Sequence, residues 1–133
     1  MIDVENKIFT IVYNAVMQYD DSIYVSSSVD SAPASFPAVY VLETDNSAPA
    51  KFRISSREEA YAEIHFKISI YSNKPEGRKA EIKPILIAID DALRGAGLRR
   101  TTDRYFYPED SVTQRTAWYE CLADEGGNIY AAR

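Results

Sequence analysis

The sequence predicts an α+β domain in which a mostly antiparallel sheet carries two helices packed on one face. Three observations support this class. Apolar residues recur at three- and four-residue steps near the N-terminus and again after residue 81, as they do on the buried stripe of a helix. Between these segments, residues 61–71 alternate strictly between apolar and polar, as in a strand with one dry face. The final third reads as strands separated by turns.

The first helix is predicted by a stripe of Ile8, Ile11, Val12, Ala15, Val16 and Tyr19. Asp3 is its predicted N-cap, and Asp20 and Asp21 end the pattern. An extended run over residues 23–28, a loop over 29–37, a strand over 38–43 and a second loop over 44–50 follow. The alternation of Phe52 and Ile54 predicts another strand, or a strand-like arm, before residue 61.

The long strand over residues 61–71 is the clearest signal in the chain. Its predicted dry face consists of Ala62, Ile64, Phe66, Ile68 and Ile70. This face should pack on the stripe of the second helix, formed by Ile82, Ile85, Leu86, Ile89 and Leu93, with Ile8, Val12 and Val16 in the same core. Pro84 is tolerated in a first turn but kinks a helix interior, so the helix begins either near Glu81 or near Arg78 with a bend.

The last third predicts two long strands. The first, over residues 98–107, holds Arg99, Arg100 and Arg104 and is followed by a turn at 108–111. The second, over 112–123, places Trp118 and Glu120 on one face and Tyr119 and Cys121 on the other. A Gly-Gly turn at 126–127 precedes a short final strand near 128–131. The predicted element order is therefore α-β-β-β-α-β-β with a short last strand.

Size and composition favour one domain over residues 1–133. The chain has 133 residues, of which 46% are hydrophobic, so it can bury a core. No apolar run approaches the roughly 18 residues of a membrane span, and the N-terminus lacks the basic start and apolar block of a secretory signal. Its single cysteine, Cys121, cannot form an internal disulfide, which favours synthesis in a reducing compartment.

Charge is distributed unevenly along the chain. The formal net charge is −5. Residues 1–47 hold seven acidic side chains and one basic one, Lys7, for a charge of −6, which leaves +1 on the remainder. Two ends of different charge would suit head-to-tail packing of identical subunits, although an ordinary solvated surface explains the same pattern. The acidic balance also disfavours a dedicated nucleic-acid binder, despite the arginines near residue 100.

The residues that usually carry chemistry do not form a catalytic or metal motif. His65 is the only histidine, and its predicted neighbours on the polar face are Glu63 and Lys67. Cys121 lies on a strand among aromatic residues, so a packed thiol is the favoured interpretation. One histidine and one cysteine do not make a typical zinc site, and the five glycines fit no phosphate-binding loop. Asp90 and Asp91 are predicted to lie on a solvated helix surface. We therefore expect no enzyme activity and no cofactor.

A protein interface is the more promising candidate site. The polar face of the long strand carries Tyr61, Glu63, His65, Lys67 and Tyr71. Tyrosines on a polar sheet face are typical of protein–protein contacts, and Lys67 is predicted to be exposed. The acidic N-terminal half and its loop at 44–50, with Asp45 and Asn46, are candidates for a second patch.

The middle of the chain resembles a known family. The segment YAEIHFKISIYSNKPEGRKAEIKPILIAIDDALRGAGLRR, residues 61–100, has a long alternating strand, a polar turn and a helix that ends at a glycine. An N-terminal helix and the strand FPAVYVLE precede it, and an arginine-rich strand and a strand ending in an acidic Gly-Gly turn follow. This order resembles the tail-terminator and tail-completion (head–tail joining) proteins of long-tailed phages and prophages. The resemblance covers most of the chain and rests on element order.

The resemblance implies an α+β subunit of a homohexameric ring. Because the loops have little to bury and would be ordered by partners, we expect that the free protein can be monomeric, with the ring forming on the tail tip. Such a ring caps the tail tube, ends its polymerisation and meets the head connector, while DNA passes through without sequence-specific contact. It assembles in the host cytoplasm and remains in the virion, in the tail or neck. Other structural proteins of the phage neck have a similar size and layout.

Two other function classes remain open at this point. A small-molecule-binding or regulatory α+β module predicts a closed apolar pocket with a few convergent polar groups. An enzyme would use His65, Glu63 or the arginines.

Overall fold

The computed structural model of the protein describes residues 1–28, 33–47 and 61–130. Within them, a six-stranded, mostly antiparallel sheet and two helices confirm the predicted α+β class. The helices and strands are α1 (Glu5–Tyr19), β1 (Tyr24–Ser26), β2 (Ala38–Ser47), β3 (Tyr61–Ser72), α2 (Arg78–Gly95), β4 (Arg99–Glu109), β5 (Val112–Asp124) and β6 (Ile129–Tyr130). None of the described helices is both long and apolar enough to cross a bilayer.

The sheet order is β1-β2-β3-β5-β4, with the short β6 also paired to β5. Only β1 and β2 pair in parallel; the other pairs are antiparallel. Because β4 and β5 form a hairpin and β5 pairs with β3, the later strand of the hairpin lies inside the sheet. The earlier, arginine-bearing strand β4 is left at one edge, and β1 lies at the other.

The core lies between the sheet and the helices, as predicted. Along β3, every second side chain from Ala62 to Ile70 is fully buried. One cluster joins this face to residues of both helices, including Ile82, Leu86, Ile89 and Leu93 of α2 and Ile8, Val12 and Val16 of α1. α1 packs on α2 and β2, whereas α2 packs on β3, β5 and β4.

The N-terminal helix departs from its predicted stripe at its end. Ile11 and Ala15 are only half-buried, and Tyr19 is 49% exposed, since it lies in the last turn beyond the core. The helix begins at Glu5 with Val4 at the N-cap position, and no side chain caps it there. The carboxylate of Asp3, the predicted N-cap, instead accepts the backbone N–H of Glu5 at 3.0 Å.

Strand β2 is longer than predicted. It continues to Ser47, so the loop predicted from Thr44 is wrong over its first four residues. A bulge between Glu43 and Asp45 absorbs the extra residue and lets pairing with β3 resume. Thr44, at the bulge, donates its hydroxyl to the backbone carbonyl of His65 at 3.2 Å. The strand predicted around Phe52 and Ile54 lies outside the described residues.

Helix α2 takes the earlier of its two predicted starts. It begins at Arg78 after Gly77, which has a φ of +77°, and it contains Pro84. Because proline has no N–H, the helix loses one internal hydrogen bond there. The helix ends at Gly95. Gly97, with a φ of +103°, then allows the N–H of Leu98 to reach the carbonyl of Leu93 at 3.0 Å.

Strand β4 extends past its predicted end. It includes Pro108 and runs to Glu109, so the turn is confined to Asp110 and Ser111. A proline is acceptable in this position because an edge strand has one side on which no ladder hydrogen bond is needed.

Replacing Phe66 by alanine should lower the free energy of unfolding by about 3–5 kcal/mol, because its ring is fully buried between the sheet and the helices. Urea denaturation measures this change. The matched control is Ile87→Ala on α2, where the side chain is 51% exposed, and it should change stability by no more than about 0.5 kcal/mol. Equal effects of the two substitutions would contradict the assignment of the core.

Candidate functional site

The face of the sheet that points away from the helices is the main candidate site; we call it the open face. It carries alternate side chains of β3 and β5, and among the described residues neither helix lies on it. On β3 these residues are Tyr61, Glu63, His65, Lys67, Ser69 and Tyr71, and on β5 they are Gln114, Thr116, Trp118, Glu120 and Leu122. The five strand residues predicted as interface candidates therefore do share one face.

The two candidates from the β2 segment do not lie together. Asp45 pairs with His65, so it belongs to the open face. Asn46 pairs with Ile64, whose side chain is in the core, and its Nδ2 donates to the backbone carbonyl of Ile2 at 2.7 Å. Asn46 thus ties the N-terminal segment to the sheet and is not part of the open face.

The prediction that Lys67 is exposed is wrong. Its side chain is half-buried because the cross-strand neighbours are the large side chains of Leu42 and Trp118. Its aliphatic stem therefore covers apolar surface, as long basic side chains commonly do.

His65 belongs to a charged cluster on the open face. Its Nε2 lies 3.1 Å from Oε1 of Glu63, and its Nδ1 lies 3.9 Å from Oε2 of Glu120. Arg99 donates two hydrogen bonds to Oε1 of Glu120, one of them from Nε at 2.9 Å. Glu120 is 9% exposed, so this arginine provides the charge that a buried carboxylate requires. The sequence placed Glu120 on the correct face, but its pairing with His65 depends on the register between β3 and β5.

Among the residues that the structure describes, Glu63, His65 and Glu120 form a group that could hold a metal ion. One ligand atom each from Glu63, His65 and Glu120 lies within 4.8 Å of the others. However, the two carboxylates contact different nitrogens of the imidazole, and Arg99 already occupies one oxygen of Glu120. The cluster therefore links β3, β4 and β5 through side-chain contacts, in which both nitrogens of His65 and one oxygen of Glu120 already have protein partners.

Aromatic and basic side chains lie together beside this cluster. The rings of Phe106 and Trp118 meet edge to face, with centroids 6.3 Å apart. The guanidinium of Arg104 lies 5.4 Å from the Trp118 ring and 5.6 Å from the Phe106 ring, and Arg104 makes no ion pair within the described part of the chain. A depression of about 440 Å³ is lined by residues of β2, β3, β4 and β5, among them Asp45, His65, Thr102, Arg104 and Trp118. It is open to solvent and polar on several sides.

Tyrosines cover the other end of the open face. Tyr24, Tyr40 and Tyr71 come from three adjacent strands, and their ring centroids are separated by 6.1 and 5.6 Å in succession. Loss of hydration raises the pKa of Tyr40 and Tyr71, so both phenols remain neutral at physiological pH. Tyr61 and Tyr130 form a further edge-to-face pair at 6.0 Å.

A buried polar contact joins α2 to β5 on the helix side of the sheet. The hydroxyl of Tyr119 donates to Oδ1 of Asp90 at 2.7 Å. Arg100 and Arg94 approach the same carboxylate at 3.5 and 3.7 Å. Asp90 is 7% exposed, so its predicted position on a solvated surface is wrong; Asp91 is exposed as predicted. Burial is the main cause that raises the pKa of Tyr119, and the hydrogen bond to Asp90 raises it further.

Cys121 has the environment of a structural residue. Its side chain is fully buried on the helix side of β5, which confirms the prediction of a packed thiol. Burial, with smaller contributions from Glu43 and Glu120, raises the thiol pKa to about 12. A thiol with such a pKa is protonated at neutral pH and is a poor nucleophile.

Comparison with known proteins adds no assignment. No protein-family model matches the chain, and no curated protein matches it. What can be concluded about function therefore depends on the side chains and surfaces described above.

Because the thiol of Cys121 is buried, we expect its ionisation to lower the free energy of unfolding at alkaline pH. Because folding raises its pKa from 9.0 to about 12, its contribution to stability is complete below pH 9 and is lost as the pH rises from 9 towards 12. In urea denaturation across this range, stability should fall more steeply for the wild type than for Cys121→Ala. Tyrosine ionisation is common to both proteins, so the difference reports the thiol. Identical pH slopes would contradict the buried position.

Proposed function

We propose that the protein is a structural subunit of a long-tailed phage or prophage, a tail terminator that caps the tail tube, ends its polymerisation and joins it to the head connector. It acts as a homo-oligomeric ring, a hexamer by resemblance to the tail-terminator family, and is not an enzyme. It assembles in the host cytoplasm and stays in the tail or neck of the virion. DNA passes through the ring without sequence-specific contact.

The composition of the open face is the observation that carries this proposal. It combines Trp118, Phe106, Arg104 and several tyrosines on one side of a rigid sheet. Tryptophan, tyrosine and arginine are the residue types that dominate binding energy in protein interfaces. Phe106 and Tyr130 are 37% and 45% exposed, which leaves apolar area available to a partner.

The placement of the reactive side chains also supports a structural role. Asp90 is bound by Tyr119, His65 lies between two carboxylates, and the thiol of Cys121 is buried. Asp90 and Cys121 are buried, and both imidazole nitrogens of His65, which lines the depression, already contact carboxylates. A catalytic group needs instead to reach a substrate with its reactive atom.

The depression on the open face favours a protein partner over a small ligand. Pockets for small molecules usually enclose most of the ligand within apolar walls. The depression of about 440 Å³ is instead an open concavity with charged groups such as Asp45 and Arg104 on its walls. Such a shape fits a protruding side chain or loop of another protein.

The proposal predicts that Trp118→Ala prevents tube capping. Purified protein is added to polymerising tail-tube protein from the same phage or prophage, and tube lengths are measured by electron microscopy. The wild type should give short tubes of narrow length distribution, whereas Trp118→Ala should give long tubes of uncontrolled length, because the central aromatic anchor of the open face is lost.

The matched control is Tyr13→Ala, which removes a 42% exposed aromatic ring from α1 on the opposite side of the molecule. This variant should cap tubes as the wild type does. Thermal unfolding of both variants checks that the fold is kept. If wild-type protein leaves the tube length unchanged, the proposed function is wrong. If Tyr13→Ala fails and Trp118→Ala succeeds, the wrong face has been assigned.

A further inference from the structure

The charge asymmetry of the sequence becomes a charge asymmetry across the sheet. The described part of residues 1–47 forms α1, β1 and β2 and holds six acidic side chains and one basic one. Because β1 and β2 end the sheet on one side and α1 packs on β2, Asp20 and Asp21 at the end of α1 lie towards that lateral end, whereas Asp45 lines the depression together with Arg104. Strand β4, at the other end, begins with three arginines and one aspartate between Arg99 and Arg104.

The β4 end is an edge strand with an available cation; we call Arg99–Glu109 the basic edge. The strand is eleven residues long and mostly exposed, and no other described strand pairs with its outer side. An exposed edge of this length presents a row of backbone donors and acceptors to another chain. Within the part of the chain that the structure describes, Arg99 and Arg100 have carboxylate partners, whereas Arg104 contacts the rings of Phe106 and Trp118 and no carboxylate.

The β1 end has an uncompensated negative charge; we call the end of α1, Tyr19 to Asp21, the acidic corner. The last turn of α1 contains no basic residue, and Asp20 and Asp21 follow it directly. The carbonyl end of a helix already carries partial negative charge, which adds to that of the two carboxylates. Asp20 accepts hydrogen bonds from the N–H and the hydroxyl of Ser22 at 3.0 and 2.7 Å, so Asp21 is the carboxylate of this corner that has no partner within the described residues. Asp21 is exposed, and Tyr19 beside it is half exposed. The turn after the corner leads into β1, the terminal strand of the sheet.

We infer that the basic edge of one copy docks against the acidic corner and β1 edge of a second copy. Arg104 supplies the positive charge that the corner lacks, and Tyr19 supplies apolar contact area. The joint uses two different patches of each subunit, so it is heterologous and leaves one free patch at each end for further copies. The joint also places β4 of one copy beside β1 of the second copy. Pairing of β4 with its own copy would instead bring two arginine-rich strands together.

This inference rests on the self-assembly in the proposed function but not on the tail tube. The free protein is therefore the sample, and sedimentation at low and high salt over a concentration series is the measurement. Self-association should be present at low salt and should weaken at high salt, since exposed charges are screened. Arg104→Glu and Asp21→Lys should each weaken it roughly tenfold or more, because each sets like charges against each other at the joint.

Two features make the result interpretable. Asp21→Lys puts a cation at the C-terminal end of α1, which favours the helix, so a loss of association cannot be attributed to unfolding. An equimolar mixture of the two variants should recover association, because the glutamate of one then meets the lysine of the other. The control is Lys83→Glu, which reverses an exposed charge on α2 and should leave association unchanged.

Four outcomes overturn the inference: a wild-type chain that stays monomeric at low salt and the highest concentration, association that survives Arg104→Glu, association that survives Asp21→Lys, and an equal loss in Lys83→Glu. Survival in Asp21→Lys with loss in Arg104→Glu identifies a joint made by β4 with itself. Capping of tubes is scored separately, so an intact joint without capping rejects the proposed function alone.

Discussion

The alternation of side chains along β3 is the constraint on which the rest of the structure depends. Every second side chain faces the helices and is buried, and the others form the middle of the open face. Because β3 pairs with β2 on one side and β5 on the other, its register decides which face every neighbouring side chain takes. A shift by one residue would place Glu63 and His65 in the core and expose Ile64 and Phe66.

The elements that sequence periodicity predicted correctly are those whose signal is local. The strand around Phe66 and the helix around Ile89 bury one face each, and a buried face repeats at a fixed step along the chain. What periodicity could not predict are pairings between distant residues. Asp90 resembles a solvated residue until Tyr119 of β5 is placed opposite it. Lys67 resembles an exposed residue until Trp118 is known to be its neighbour.

Some features of the candidate site could likewise be predicted from local periodicity, whereas others depend on how the strands pair. The membership of the open face followed from the alternation along β3, whereas the separation of Asp45 from Asn46 was not predicted. Both residues were expected in a loop, but β2 continues through them, and pairing after the bulge at Glu43 and Asp45 puts them on opposite faces. The importance of Glu120 and Arg99 depends on the register between β4, β5 and β3, which no single segment encodes. Buried polar groups such as Asp90 and Glu120 are satisfied by partners from another strand or helix, so they hold the elements in one relative position.

The position of β5 inside the sheet has a consequence for the order in which the chain folds. The β4–β5 hairpin is local, but β5 reaches β3 only after the intervening helix has closed a long loop. Within the described residues, β4 has β5 as its sheet neighbour and is joined to the rest of the sheet only through β5. We expect amide hydrogens of β4 to exchange with solvent faster than those of β3. The basic edge, which we inferred above to dock against a second copy, would then be completed only after β5 has been synthesised and has paired with β4.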